Sequence, residues 1–211
     1  VESGGRGGDQ SPNGVMNSGK AVCEGYAGIF KELCSMASIE CVKVAGYSKA
    51  AGYRPEKQAQ EFTKSTHAWN SVKINGKWYL VESCWAAGHV DLAKKTFTKK
   101  FEDYWWCTAP EEFLFQHFPE HVDDEKWQLL GENPLGKQEW ADMAWTRPMF
   151  YKAGIRLHSD NTKKVALVRD KPEPLVMTFK LLTNYPSVTL TRNIGIYRNI
   201  LIFIYFYANF P

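Results

Sequence analysis

Apolar residues first recur at helical spacing between Ser18 and Ala37, at Val22, Tyr26, Ile29, Phe30, Leu33 and Met36. That period predicts one amphipathic helix, with Ser18 as its N-cap. The preceding residues 1–14 are rich in Gly, Ser, Asp and Asn and predict a loop. Ile39 to Tyr47 is a short strand candidate, and the polar run Gly52 to Lys64 predicts a loop. Between Thr66 and Trp85 two runs rich in Trp, Tyr, Val and Ile flank Asn75-Gly76. This is the signature of a β-hairpin closed by a two-residue type I′ turn. A mixed aromatic segment, Phe97 to Phe118, follows and ends at Pro119. After about Pro148, strand-like runs recur at Ile155–His158, Lys164–Val168 and Leu175–Leu182 and predict a second, β-rich module. Asn199–Phe206 reads NILIFIYF. A bilayer span needs about 20 apolar residues, so this run reads as a buried or edge strand and no membrane span is expected.

The hairpin register carries a chemical consequence. If Asn75-Gly76 is the turn, Ile74 pairs with Lys77, Trp69 with Glu82, and His67 with Cys84. His67, Trp69, Glu82 and Cys84 then share one face, because side chains alternate along a strand. Glu82 becomes the diagonal neighbour of His67, within reach of its ring. A carboxylate there fixes the tautomer of the imidazole and stabilises its protonated form. Cys23 falls in the first turn of the predicted helix, where the helix dipole favours thiolate over thiol. A thiol at a helix start and an acid-oriented histidine together form the pattern of an activated nucleophile.

Composition narrows the rest. The 211 residues are 44% apolar and 23% charged, which fits a soluble globular chain. Aromatics reach 14%, with 8 Trp, so large rings are expected to supply much of the core. A net charge of +3 is too small to point to nucleic acid. The five cysteines have irregular spacing and no C-x-x-C, which argues against a disulfide framework or a zinc site. A reducing, cytoplasmic setting with free thiols is expected. Cys84 is a rival to Cys23, but a strand cysteine lacks the helix dipole. Cys34, Cys41 and Cys107 read as packed residues. His89, Asp91, His117 and His121 have no metal-ligand spacing, and neither metal nor cofactor is expected.

Three ordered segments carry a family likeness: GDQSPNGVMNSGKAVCEGYAGIF (Gly8–Phe30), STHAWNSVKINGKWYLVESCWAAGHVD (Ser65–Asp91) and PEEFLFQHFPEHVDDEKWQLL (Pro110–Leu130). Together they resemble the transglutaminase-like superfamily, in the branch of kyphoscoliosis peptidases, hillarin and LIM-and-transglutaminase-domain proteins. The resemblance implies an α+β, papain-like core over 1–135, an incomplete β-rich domain over 136–185 and an atypical apolar tail over 186–211. It implies Cys23 as nucleophile (KAVCEGYA), His67 as base (HAWN) and Glu82 as acid (VESCWA), with Trp69 expected beside the substrate. The family's Asp is Glu82 here, its Thr is Cys84, and its Gly-type position is Ala86. The chain opens on Val1, and its native N-terminus is expected upstream. The implied activity is acyl transfer through a thioester on a protein or peptide, by hydrolysis or transamidation. The alternative is a weakly active or inactive scaffold that binds cytoskeletal proteins.

Overall fold

The computed structural model describes residues 8–50, 53–54, 59–91, 94, 96–152, 154–157, 175–181 and 202–208. The first helical stretch is two helices rather than one. Helix α1 spans Pro12–Ser18 and α2 spans Cys23–Met36. Ser11 caps α1 through its side chain, Pro12 opens it, and Gly19 closes it in the left-handed region at φ 63°. Ser18 is therefore the last residue of α1 and not the cap of α2. The N-cap of α2 is Val22, whose N–H donates to Gln10 Oε1 at 2.9 Å. The apolar period in the sequence runs across this break, because Val22 continues the spacing that the backbone interrupts. Gly25 lets the two helices close up: a Cβ there would overlap Gln10, Val15 and Ala21. The face α2 buries is formed by Gly25, Ala27 and Cys34, while Leu33 and Met36 stay exposed.

Strand β1 (Cys41–Ser48) follows, then a 3₁₀ turn at Ala59–Glu61, then the hairpin β2 (His67–Ile74) and β3 (Lys77–Val81). Asn75 and Gly76 have φ of 50° and 80°, as a type I′ turn requires. The predicted ladder forms from Ile74↔Lys77 to Asn70↔Val81 and stops there. The expected pairs Trp69–Glu82 and His67–Cys84 do not form. A register shift at Leu80/Val81 ends β3, and the Glu82 N–H goes to the Trp105 carbonyl instead. Glu82 then caps α3 (Ser83–Ala86).

The remaining elements are β4 (Gly88–Asp91), β5 (Thr96–Lys99), β6 (Trp106–Thr108), α4 (Pro110–Phe113), β7 (His117–Pro119), α5 (Lys137–Asp142), α6 (Pro148–Lys152), β8 (Ile155–Leu157), β9 (Leu175–Leu181) and β10 (Ile202–Ala208). Among the described residues the strands make three sheets: β6-β3-β2-β1-β7, β10-β9-β8 and β4-β5. The apolar run near the C-terminus is strand β10, which pairs in parallel with β9. The Lys164–Val168 expectation lies outside the described residues.

Large rings do fill the core. One face of the five-stranded sheet packs Val44, Trp69 and Leu80 against Trp105 and Phe113. The opposite face of β2 and β3 packs Val72 and Val81 against Cys34 and Phe30 of α2. A second cluster joins Tyr47, Phe62 and Phe118 to Trp140 and Ala141 of α5. The mixed α+β layout, with a helix bearing a cysteine docked on an antiparallel sheet, is the architecture the resemblance implied.

Candidate active site

Cys23, the first residue of α2, is half-buried where that helix meets β2. Asn70 fastens the junction. Its side-chain amide is fully buried and donates to the Ala27 carbonyl, one helical turn beyond Cys23, at 3.0 Å. Three residues before Asn70, His67 opens β2 opposite Gly46 of β1. The His67 ring and the Ala68 N–H both act on the Cys23 thiol and favour its ionised form.

The His67 Nε2 is hydrogen-bonded to Glu82 Oε2. Thus the three residues singled out in the sequence meet in one chain of contacts. They meet by a different route from the one the register suggested. Glu82 is not a strand residue whose side chain projects diagonally across the sheet. It sits past the end of β3, at the mouth of α3, and its carboxylate turns back. Oε1 accepts from the N–H groups of Cys84 and Trp85, at 2.9 and 3.1 Å.

A fourth residue belongs to the cluster. His117 of β7 is fully buried, and its Nε2 lies 3.0 Å from the same Oε2 of Glu82. β7 pairs with β1 on the side away from β2, so β1 separates the two histidine strands. Gly46 lets β1 lie close to β7 and to Trp69: a Cβ there would overlap the Phe118 carbonyl and the Trp69 indole. Sequence reasoning passed over His117 because it looked only for metal spacing. Its place in the third family-like segment was the available signal.

The charges follow from these contacts. Burial opposes the protonated His67, but the Glu82 carboxylate and the Cys23 thiolate outweigh it and raise the ring to about 10. Burial likewise opposes an ionised Glu82, yet the two histidines hold it down at about 2. Burial would raise Cys23, but the hydrogen bond and charge of His67, with the Ala68 N–H, bring it below the ordinary thiol value. These directions all favour a thiolate–imidazolium pair backed by a carboxylate. Cys84 differs. Burial and the nearby charges of Glu82 and Cys23 push its thiol up, so the rival cysteine is a neutral thiol. Burial also lowers His117, which stays neutral.

Ligand-type atoms of His67, Glu82 and His117 lie within 4.8 Å of one another, a set that suits a cation by residue type. Here both rings direct Nε2 at one carboxylate oxygen, and hydrogen bonds close the set. A cation would have to part them.

Trp69 is 1% exposed and lies in the core, with no surface to offer a substrate. Trp85 is a half-buried tryptophan at the site. Its ring lies 4.8 Å from His67 and 4.6 Å from His117, and it lines a cavity of about 590 Å³. Trp105, Trp145, Arg147 and Met149 also line that cavity. His89 is exposed on β4 and faces the same cavity, Asp91 accepts from the Lys94 N–H at 3.0 Å, and His121 is exposed beside Glu120. None of these three is part of the Cys23 cluster. Among the described residues, no helix is long and apolar enough to cross a membrane.

The family model of the transglutaminase-like superfamily matches residues 3–83, a span that holds Cys23, His67 and Glu82. The kyphoscoliosis peptidase of Mus musculus is 34% identical over 161 residues, covering 76% of this chain and 23% of the relative. Hillarin of Drosophila melanogaster is 30% identical over 170 residues, 76% of this chain and 20% of the relative. A LIM and transglutaminase domain protein of Caenorhabditis elegans is 30% identical over 182 residues, 82% and 24% respectively. The chain thus spans less than a quarter of the length of these relatives.

Proposed function

Because this chain belongs to the transglutaminase-like superfamily, we propose that it catalyses acyl transfer from a protein or peptide, with Cys23 as nucleophile, His67 as acid–base and Glu82 as the orienting acid. The observation that carries this reading is the buried His67–Glu82 hydrogen bond, with the His67 ring acting on the Cys23 thiol at the start of α2 and lowering it.

The Cys23 thiolate attacks the carbonyl carbon and forms a C–S bond, while the carbonyl electron pair moves to oxygen. First-turn N–H groups of a helix have no intrahelical acceptor, and that of Cys23 itself is the proposed donor to the oxyanion. As the tetrahedral adduct collapses, the C–N bond breaks and His67 gives its proton to the leaving amine. The product is a thioester on Cys23 and a neutral His67. An acceptor then attacks the thioester, His67 takes the acceptor's proton, and the thiolate is released. Water as acceptor gives hydrolysis; an amine gives a new amide crosslink. Glu82 supports the imidazolium throughout without itself taking the proton. The cysteines are free thiols, which suits a reducing, cytoplasmic compartment.

Alkylation tests the reading directly. At pH 6 iodoacetamide should modify Cys23 rapidly and Cys23→Ala not at all, with mass spectrometry locating the adduct. An ordinary thiol, near pKa ~8.5, is about 0.3% ionised at that pH and reacts slowly. Slow labelling of Cys23 would overturn the enzymatic reading and favour a non-catalytic module that binds cytoskeletal proteins, for which Glu82 in place of the family's Asp is the motivating feature.

A further inference from the structure

Glu82 occupies the position at which the family pattern has Asp, and its extra methylene must be controlled if the carboxylate is to face His67. The Cys84 and Trp85 N–H groups hold Oε1, whereas Oε2 takes its partners from other elements of the fold. Two side chains fix Oε2: His67 and, from the far side, His117. His117 is itself held rigid. It stacks on Phe113 at 4.1 Å between ring centroids and is packed by Trp85, Trp69 and Trp105 at 4.6, 5.1 and 5.5 Å.

We propose that His117 is a positioning residue for the acyl-transfer reaction: a neutral ring with its proton on Nε2, it holds Oε2 of Glu82 in line with His67. This inference rests on the catalytic reading of Cys23, His67 and Glu82.

The tautomer follows from the acceptors on offer. A neutral imidazole has one N–H and two candidate acceptors here, Glu82 Oε2 at 3.0 Å and the Phe113 carbonyl at 3.3 Å from Nδ1. The Phe113 carbonyl already accepts from the Gln116 N–H at 3.1 Å. The carboxylate is nearer and charged, so it takes the proton-bearing nitrogen. A second positive ring is disfavoured by full burial and by the protonated His67, whose centroid is 5.4 Å away. Glu82 then receives four donors, two on each oxygen, which matches the acceptor capacity of a carboxylate. The methylene added relative to Asp allows one oxygen to cap α3 while the other stands between two rings. Without His117, Oε2 loses one charge-assisted hydrogen bond and is held by His67 alone.

The test combines two variants with a measurement on the unaltered protein. His117→Phe keeps the ring stack but removes the donor, whereas the side-chain amide of His117→Gln can donate from near the same place. Iodoacetamide alkylation of Cys23 is followed from pH 5 to 10, with the thermal midpoint as a folding control. His117→Phe should slow the pH 6 rate about 10-fold and move the rise to higher pH, as loss of one hydrogen bond to a charged group predicts, while His117→Gln stays within about 2-fold. A folded His117→Phe protein whose profile overlays that of the parent overturns the inference while leaving the catalytic reading intact. A parent protein with no fast alkylation at pH 6 overturns the reading and the inference together. If neither variant folds, ¹⁵N histidine spectra of the parent decide. A neutral His117 carrying Nε2–H across pH 6–8 supports the proposal; an Nδ1–H or doubly protonated ring overturns it.

Discussion

Replacing Glu82 by Gln removes one buried charge and little else, which makes it the sharpest probe of the site. The amide oxygen can still cap the N–H groups of Cys84 and Trp85. Its NH₂ group, however, meets His67 Nε2 where an acceptor stood. Burial is the largest influence on His67 and works against its charge; Glu82 leads the groups that overcome it. The net rise from 6.5 to about 10 corresponds to about 5 kcal/mol in favour of the imidazolium. With the carboxylate gone, burial wins, His67 becomes neutral, and Cys23 loses the cation that holds its thiolate. A thiol near pKa ~8.5 is about 0.3% ionised at pH 6, so the alkylation rate there should fall about 100-fold or more. The assay is the iodoacetamide rate at Cys23 across pH 5–10, located by mass spectrometry, with thermal melting to verify folding. A Glu82→Gln protein that melts normally and alkylates like the parent at pH 6 would show that the helix start alone activates Cys23, and the relay argument would be refuted.

Glu82→Asp should lower activity even though it restores the family's residue, because the shorter side chain cannot reach both rings and both N–H groups. A ~1 Å misplacement costs about 10–100-fold, read as Cys23 alkylation or turnover, and a gain would contradict the geometry. The cluster should also shape stability against pH. Glu82, lowered from 4.5 to about 2, adds stability that is complete above pH 4.5 and is lost as pH falls through about 2. His67, raised from 6.5 to about 10, adds stability that is complete below pH 6.5 and is lost as pH rises through about 10. Both act fully between 4.5 and 6.5. The Glu82 share alone is about 3 kcal/mol, and urea midpoints that stay flat from pH 2 to 10 would refute it. Asn70→Ala removes the buried bond to the Ala27 carbonyl. It should cost about 2 kcal/mol and lower the melting point by about 4–8 °C; an unchanged melting point argues that α2 is held by packing alone. At pH 8 iodoacetamide should modify Cys23 well before Cys84 or Cys41, whose thiols burial pushes up, Cys41 to about 12. Equal labelling of Cys23 and Cys84 in a peptide map would refute the assignment of the nucleophile.

Local rules made much of this protein legible in its sequence. Asn75-Gly76 fixed the hairpin and its register, because few residues accept positive φ at two successive positions. The three family-like segments point to Cys23, His67 and Glu82. What local rules could not supply was set by contacts between distant segments. The break at Gly19 is hidden by an apolar period that continues across it. The hairpin ladder ends at Val81 because the Trp105 carbonyl, 23 residues further on, claims the Glu82 N–H. Trp69 carries no mark in the sequence to separate a core ring from a substrate contact; only its burial among Val44, Leu80 and Phe113 does so. His117 joins the site because β7 pairs with β1, the strand that also pairs with the one bearing His67. Spacing along a chain records what lies within a turn or a hairpin. The meeting of residues 23, 67, 82 and 117 around one buried carboxylate is decided by sheet order and by the need to surround that charge with donors.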